Sequence, residues 1–132
     1  MDFMSEAIKQ AQKAGDKGEV PIGCVIVKDG KIISVGRNQR ERKQNATMHA
    51  EIVAINRACK RLRSWRLGEC DMYVTLEPCA MCLGAAVNAR IRKIYFGAKT
   101  TSNLNHQTQT EFTNNQECGD ILKNFFQCVR NE

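Results

Sequence analysis

The run from Asp71 to Gly97 restricts the fold of this chain more than any other stretch. DMYVTL, Asp71 to Leu76, has the composition of a strand, and Pro78 suits the first position of a helix that runs from Cys79 to about Asn88. KIYFG then reads as a second strand. A strand, helix and strand in succession make a β-α-β unit, whose strands lie parallel in one sheet and are joined by a right-handed crossover.

Other elements can be set around that unit. Phe3, Met4, Ala7, Ile8, Ala11 and Ala14 recur at helical spacing and predict an opening amphipathic helix that stops at Gly15. GCVIVKDGKIISVG places two β-branched runs about Asp29-Gly30, a pair that tolerates the positive φ angles of a tight hairpin. From Thr47 to about Leu62, Ile52, Ile55, Cys59 and Leu62 predict a helix capped by Asn45 or Thr47, with His49 and Glu51 in its first turn. QTQTEF, Gln107 to Phe112, alternates but is polar and reads as an edge strand. Ile121, Leu122, Phe125, Phe126 and Val129 line a last helix opened by Asn114 or Asn115. The expected architecture is a three-layer α/β/α domain spanning 1–132, a mixed sheet covered by helices on both faces.

Composition narrows the class. With 132 residues, 42% apolar and 26% charged, the chain fits one globular domain, and no apolar run reaches the roughly 18 residues of a membrane span. The start lacks a secretory pattern, and seven scattered cysteines do not form a disulfide framework, so a cytoplasmic setting is expected. A net charge of +6 is a hint of an anionic partner such as a polynucleotide.

Cys79 and Cys82 admit three readings: a redox dithiol, a structural metal staple, or part of a catalytic metal site. A second constellation decides among them. HAE, His49 to Glu51, opens one helix, and PCAMC, Pro78 to Cys82, opens another. Together they spell H-x-E followed by P-C-x-x-C, the pattern of zinc-dependent nucleobase deaminases. Residues i and i+3 at a helix start lie on one side, so both sulfurs can reach one ion at about 2.3 Å, and the helix dipole favours thiolate. His49 would be the third ligand, leaving a fourth position for water. Cys24, Cys59, Cys70 and His106 are the side chains that could close the shell into a structural site. Glu51, not itself a ligand, would move protons between the water, a ring nitrogen and the departing amine.

The chain resembles the cytidine deaminase superfamily, and within it the bacterial tRNA-specific adenosine deaminases. EVPIG at Glu19, GRN at Gly36, HAEI at His49, YVTLEPCAMCLGA at Tyr73, RI at Arg90, FGA at Phe96 and FF at Phe125 carry the likeness. The resemblance implies one zinc ion per chain on His49, Cys79 and Cys82, with Glu51 as the catalytic proton carrier and Asn38 hydrogen-bonded to a flipped base. It also implies deamination of the wobble adenosine in a tRNA anticodon loop to inosine, by a homodimer. Arg57, Lys60, Arg61, Arg63 and Arg66, with Arg90, Arg92, Lys93 and Lys99, are compatible with RNA.

Two departures stand out. After FGA the family continues with an acidic residue, a lysine and glycines in a longer loop, whereas this chain runs KTTSNLNH straight into its edge strand. Lys99 to His106 is short for a parallel crossover, so a taut link or a different pairing is expected. Asn45-Ala46 stands where the family often has Asp-Pro. The shortened loop motivates a second expectation, deamination of a free base or nucleoside of the guanine or cytosine type. A third is a non-catalytic zinc-stabilised RNA-binding module.

Overall fold

A computed structural model describes residues 2–100 and 108–130, with side chains described as far as Gln127. In it the β-α-β unit forms as its sequence demands. Strand β3 (Cys70–Leu76) pairs in parallel with β4 (Lys93–Ala98), and helix α4 (Ala80–Asn88) makes the crossover. Ahead of it, α1 (Phe3–Asp16) leads into the hairpin β1 (Gly23–Lys28) and β2 (Lys31–Arg37). Asp29 and Gly30 at the tip have φ values of 52° and 75°, the left-handed pair that a two-residue turn requires.

A short helix α2 (Arg40–Lys43) and the longer α3 (Ala50–Leu62) separate the hairpin from β3. Strand β5 (Gln109–Phe112) and α5 (Gln116–Arg130) close the chain. The sheet order is β2-β1-β3-β4-β5, with β1 antiparallel to both neighbours and β5 parallel to β4, a mixed sheet as expected. The short link after Ala98 therefore does reach a parallel edge position, and most of its residues lie outside those described.

Period-two alternation divides the strand side chains between two helical layers. Cys24, Ile26, Met72, Val74, Ile94 and Phe96 pack on α3 and α4. Val25, Val27, Tyr73 and Tyr95 face α1 and α5, where Tyr73 and Tyr95 stack at 4.5 Å. Gly36 on β2 lets α3 sit directly on the sheet. A methyl group there would collide with the Ala50 carbonyl oxygen and lie 2.7 Å from the Ala54 nitrogen.

At the β2 edge, Arg57 and Arg61 of α3 donate to the carbonyls of Val35 and Ile33 at 3.0 and 2.9 Å. Spaced one helical turn apart, they cover alternate outward carbonyls of an exposed strand. Two of the basic residues expected to be available to RNA are thus engaged in the fold. Arg92 forks onto Asp71 with two 3.0 Å bonds, Lys93 meets Glu111 at 3.0 Å, and the Lys99 ammonium sits 4.7 Å from the centre of the Phe112 ring.

Helix boundaries differ from expectation at one place that matters. The helix predicted from Thr47 begins at Ala50, with His49 its N-cap in extended conformation, φ −74° and ψ 158°. Asn45 does not cap it, because its Oδ1 accepts from the Thr47 amide and hydroxyl in a turn of its own. The Met48 carbonyl instead accepts the Gln39 N–H at 2.9 Å, which holds the backbone extended up to His49. Cys79 is likewise an N-cap, with Pro78 just outside the helix. At the last helix Asn115, one of the two expected caps, accepts the Cys118 amide. Val129 lies among the side chains not described.

Candidate metal centre and active site

Helices α3 and α4 lie side by side on one face of the sheet and start at the same pole, so their N-caps meet. The His49 Nδ1 is 3.7 Å from the Cys79 Sγ and 3.6 Å from the Cys82 Sγ, with all three ligand atoms within 4.8 Å of one another. Those separations suit three ligands about one ion at 2.0–2.3 Å, near-tetrahedral in angle. Neither N-cap side chain caps its helix. Each is turned to the cluster instead.

Among the described residues no further His, Cys, Asp or Glu joins this group. Cys24, Cys59 and Cys70, considered as closing ligands, stand outside it, and His106 lies outside the described residues. A metal held by these three side chains alone would keep a position for water or substrate.

Electrostatics favour a cation at this point. Burial, and next the charge of Glu51, pushes the Cys82 thiol far above its ordinary range, so a thiolate there needs a positive ion beside it. Burial, with Arg40 adding to it, lowers His49, which keeps the imidazole neutral and able to ligate. Two helix N-termini add positive potential from below. The donor set of one imidazole and two thiols is that of zinc sites.

Glu51 is 4% exposed and stands apart from the ligand trio, although close enough to Cys82 to bond with its thiol. Burial raises its carboxyl to about 7, against the opposing pull of its own amide and Cys82. A carboxyl in that range can both take and give up a proton near neutrality.

Asn38 lies at the mouth of β2, beside the segment that leads to His49. It is 6% exposed, its Oδ1 accepts the Arg40 amide at 3.4 Å, and its side-chain amide has no acceptor among the described residues.

Sequence reasoning missed Glu19 as part of this region. Its carboxylate, 3% exposed, accepts the amides of Glu41 and Arg42 at 3.0 and 2.7 Å. It thereby pins the start of α2 and the loop that carries Asn38. Within GDKGEV a glutamate reads as solvated, and only the return of residues 38–42 over it reveals the role.

Comparison with known proteins agrees with the geometry. The model of the MafB19-like deaminases matches residues 1–130. A tRNA-specific adenosine deaminase of Bacillus subtilis (strain 168) is 46% identical over 143 residues, covering 97% of this chain and 89% of the relative. One from Aquifex aeolicus (strain VF5) is 40% identical, covering 98% and 95%. Both aligned stretches exceed the 132 residues of this chain, so the relatives carry residues without counterparts here.

A structure solved in work on A-to-I editing by tRNA:A34 deaminases superposes with a TM-score of 0.84 at 37% identity, covering 91% of this chain and 98% of that one. The guanine deaminase of Bacillus subtilis gives 0.72 at 30%, covering 100% and 96%. The cytidine-deaminase-like fold expected from the sequence is the one observed, and the chain belongs to the MafB19-like deaminase family.

Proposed function

We propose that this protein converts the wobble adenosine of a tRNA anticodon loop to inosine by zinc-dependent hydrolysis. The convergence of His49, Cys79 and Cys82 beside a buried, non-ligating Glu51 carries the reading. The relatives named tRNA-specific adenosine deaminase, at 40–46% identity over nearly the whole chain, support the substrate.

His49 Nδ1 and the two sulfurs would hold one zinc ion, which when bound supplies Lewis-acid chemistry that brings water toward ionisation at neutral pH. Glu51 takes the proton released as the water oxygen bonds to C6 of adenine, and gives it to the ring nitrogen N1. A second proton, passed by the same carboxyl from the added hydroxyl to the amino nitrogen, lets the C–N bond break. Water and adenosine thus give inosine and ammonia, with Glu51 restored. Asn38 offers its side-chain amide to the flipped base, held in place by the loop that Glu19 anchors. A base in a loop is already unstacked in part, so entry costs little pairing energy.

A homodimer belongs to this reading, and α4 offers a face for it. Its nine residues carry no charge, and Ala80, Met81 and Gly84 are exposed, Met81 by 39%. The cytoplasm is the setting that the substrate implies; among the described residues no helix is long and apolar enough to cross a membrane.

Likeness to a guanine deaminase over the full chain, together with the short link after Ala98, favours a second reading, deamination of a free base. A three-ligand site with a buried carboxyl beside it speaks against a purely structural zinc module. The deciding experiment gives zinc-loaded protein an anticodon stem-loop carrying ACG, and in parallel free adenosine, cytosine and guanine. Inosine in the RNA alone, absent with Glu51→Ala, is the expected result. Ammonia from a free base alone would overturn the tRNA assignment.

A further inference from the structure

Of the basic residues about the ends of α3 and α4, five are engaged with other elements of the fold; Lys60, Arg63, Arg66 and Arg90 have no carboxylate partner among the described residues, and Arg90 donates only to the Val87 carbonyl of its own helix end, at 3.3 Å. Two of these, Arg66 and Arg90, stand over Trp65, the most exposed large apolar side chain described, at 54%, and a third, the exposed Arg63, precedes it by two residues. The Arg66 guanidinium lies 4.7 Å from the centre of the indole and that of Arg90 lies 6.0 Å away. A cavity of about 280 Å³ opens alongside, lined by Arg66, Leu62, Leu67, Gly68 and the Lys28–Glu69 ion pair.

Backbone geometry adds an independent observation. Arg63 and Arg90 follow the ends of α3 and α4 with φ values of 52° and 67°, a conformation in which glycine is favoured. At both helix ends an exposed arginine takes a backbone conformation that glycine would adopt more readily, one two residues before Trp65 and the other over its ring.

We propose that Trp65, Arg63, Arg66 and Arg90 form a second RNA-binding surface that holds the body of the tRNA whose anticodon loop enters the metal site. The inference rests on the tRNA reading above. Helix α3, at 13 residues, sets the patch about 20 Å from His49, so the two surfaces meet different parts of one RNA. An exposed indole flanked by guanidiniums suits stacking on an unpaired base with phosphates alongside. Self-association through the patch would set its arginines against their own copies, which is repulsive.

The test compares full-length tRNA with the isolated anticodon stem-loop, using wild type, Arg63→Gly/Arg90→Gly and Trp65→Ala. Binding is measured across a salt series, with thermal melting as a check on the fold. Lys13→Gln/Lys31→Gln, which removes the same charge elsewhere on the surface, is the control.

The glycine pair is expected to melt at the same or a higher temperature, yet to bind full-length tRNA about tenfold more weakly, with a log–log salt slope smaller by about one to two. Stem-loop binding and turnover should stay at wild-type values. Equal weakening for both RNAs, the same loss in the lysine control, or no loss at all would overturn the proposal. So would a Trp65→Ala protein that falls to a smaller oligomer and keeps its tRNA affinity, since the patch would then be a protein contact. If wild type makes no inosine in either RNA, the wobble reading fails by itself, and the binding comparison still decides the surface.

Discussion

Helix α1 and the pair α3 and α4 begin in opposite ways. At α1 the N-cap is Asp2, whose carboxylate accepts the Met4 and Ser5 amides at 3.1 and 3.4 Å, as a start built for stability should. At α3 and α4 the N-caps are His49 and Cys79, which make no capping bond at all. The chain gives up two caps, each worth ~1 kcal/mol, at the pole where His49, Cys79 and Cys82 meet. The helix starts that neglect their own amides are where the proposed chemistry lies.

The sharpest way to break that comparison is to repair one of the neglected caps. Cys79→Ser supplies a good N-cap and removes a ligand. Activity and bound zinc should fall to background while the chelated protein gains up to ~1 kcal/mol. Metal content and melting in chelator check it, and a variant that loses both stability and metal would contradict the division of labour. Glu51→Gln comes next: about a thousandfold lower turnover of the RNA, with zinc content unchanged, since in the proposed reaction this side chain moves protons and holds no metal.

Gly36→Ala probes the support of the site, because the added methyl meets the first residue of α3. A loss of ~1–3 kcal/mol in denaturant titration, accompanied by weakened zinc binding, is expected. Asp2→Ala is the smallest, at ~1 kcal/mol or less and with unchanged activity. The Ser5 hydroxyl, the largest influence on it, holds the Asp2 carboxyl below its ordinary value of 3.8. Its contribution is therefore present in full above that value and lost as pH falls through the lowered one. The stability difference between wild type and variant should vanish in acid, and a difference that grew there would exclude the cap as its source.

The same contrast explains what was legible in the sequence. The meeting of His49 with Cys79 and Cys82 was, because His-x-Glu and Cys-x-x-Cys are local patterns that each open a helix. The β-α-β unit and the Asp29-Gly30 hairpin were legible for the same reason. The start of α3 was misplaced, since neither His49 nor Thr47 behaves as the propensity of its type suggests once Gln39 holds Met48 extended. Glu19 was overlooked as part of the site, because its partners lie more than twenty residues away. Arg57 and Arg61 looked like free positive charge, and only the position of β2 at the sheet edge shows what they cover.

Those two arginines also govern how the molecule behaves when crowded. An open strand edge is a template on which a neighbouring chain can add its own backbone, the first step toward fibrous precipitates. Here a newcomer to β2 would first have to displace two guanidiniums from the carbonyls it needs. Growth of the sheet from one copy to the next is opposed on that side, and the protein can be concentrated without that edge seeding aggregation.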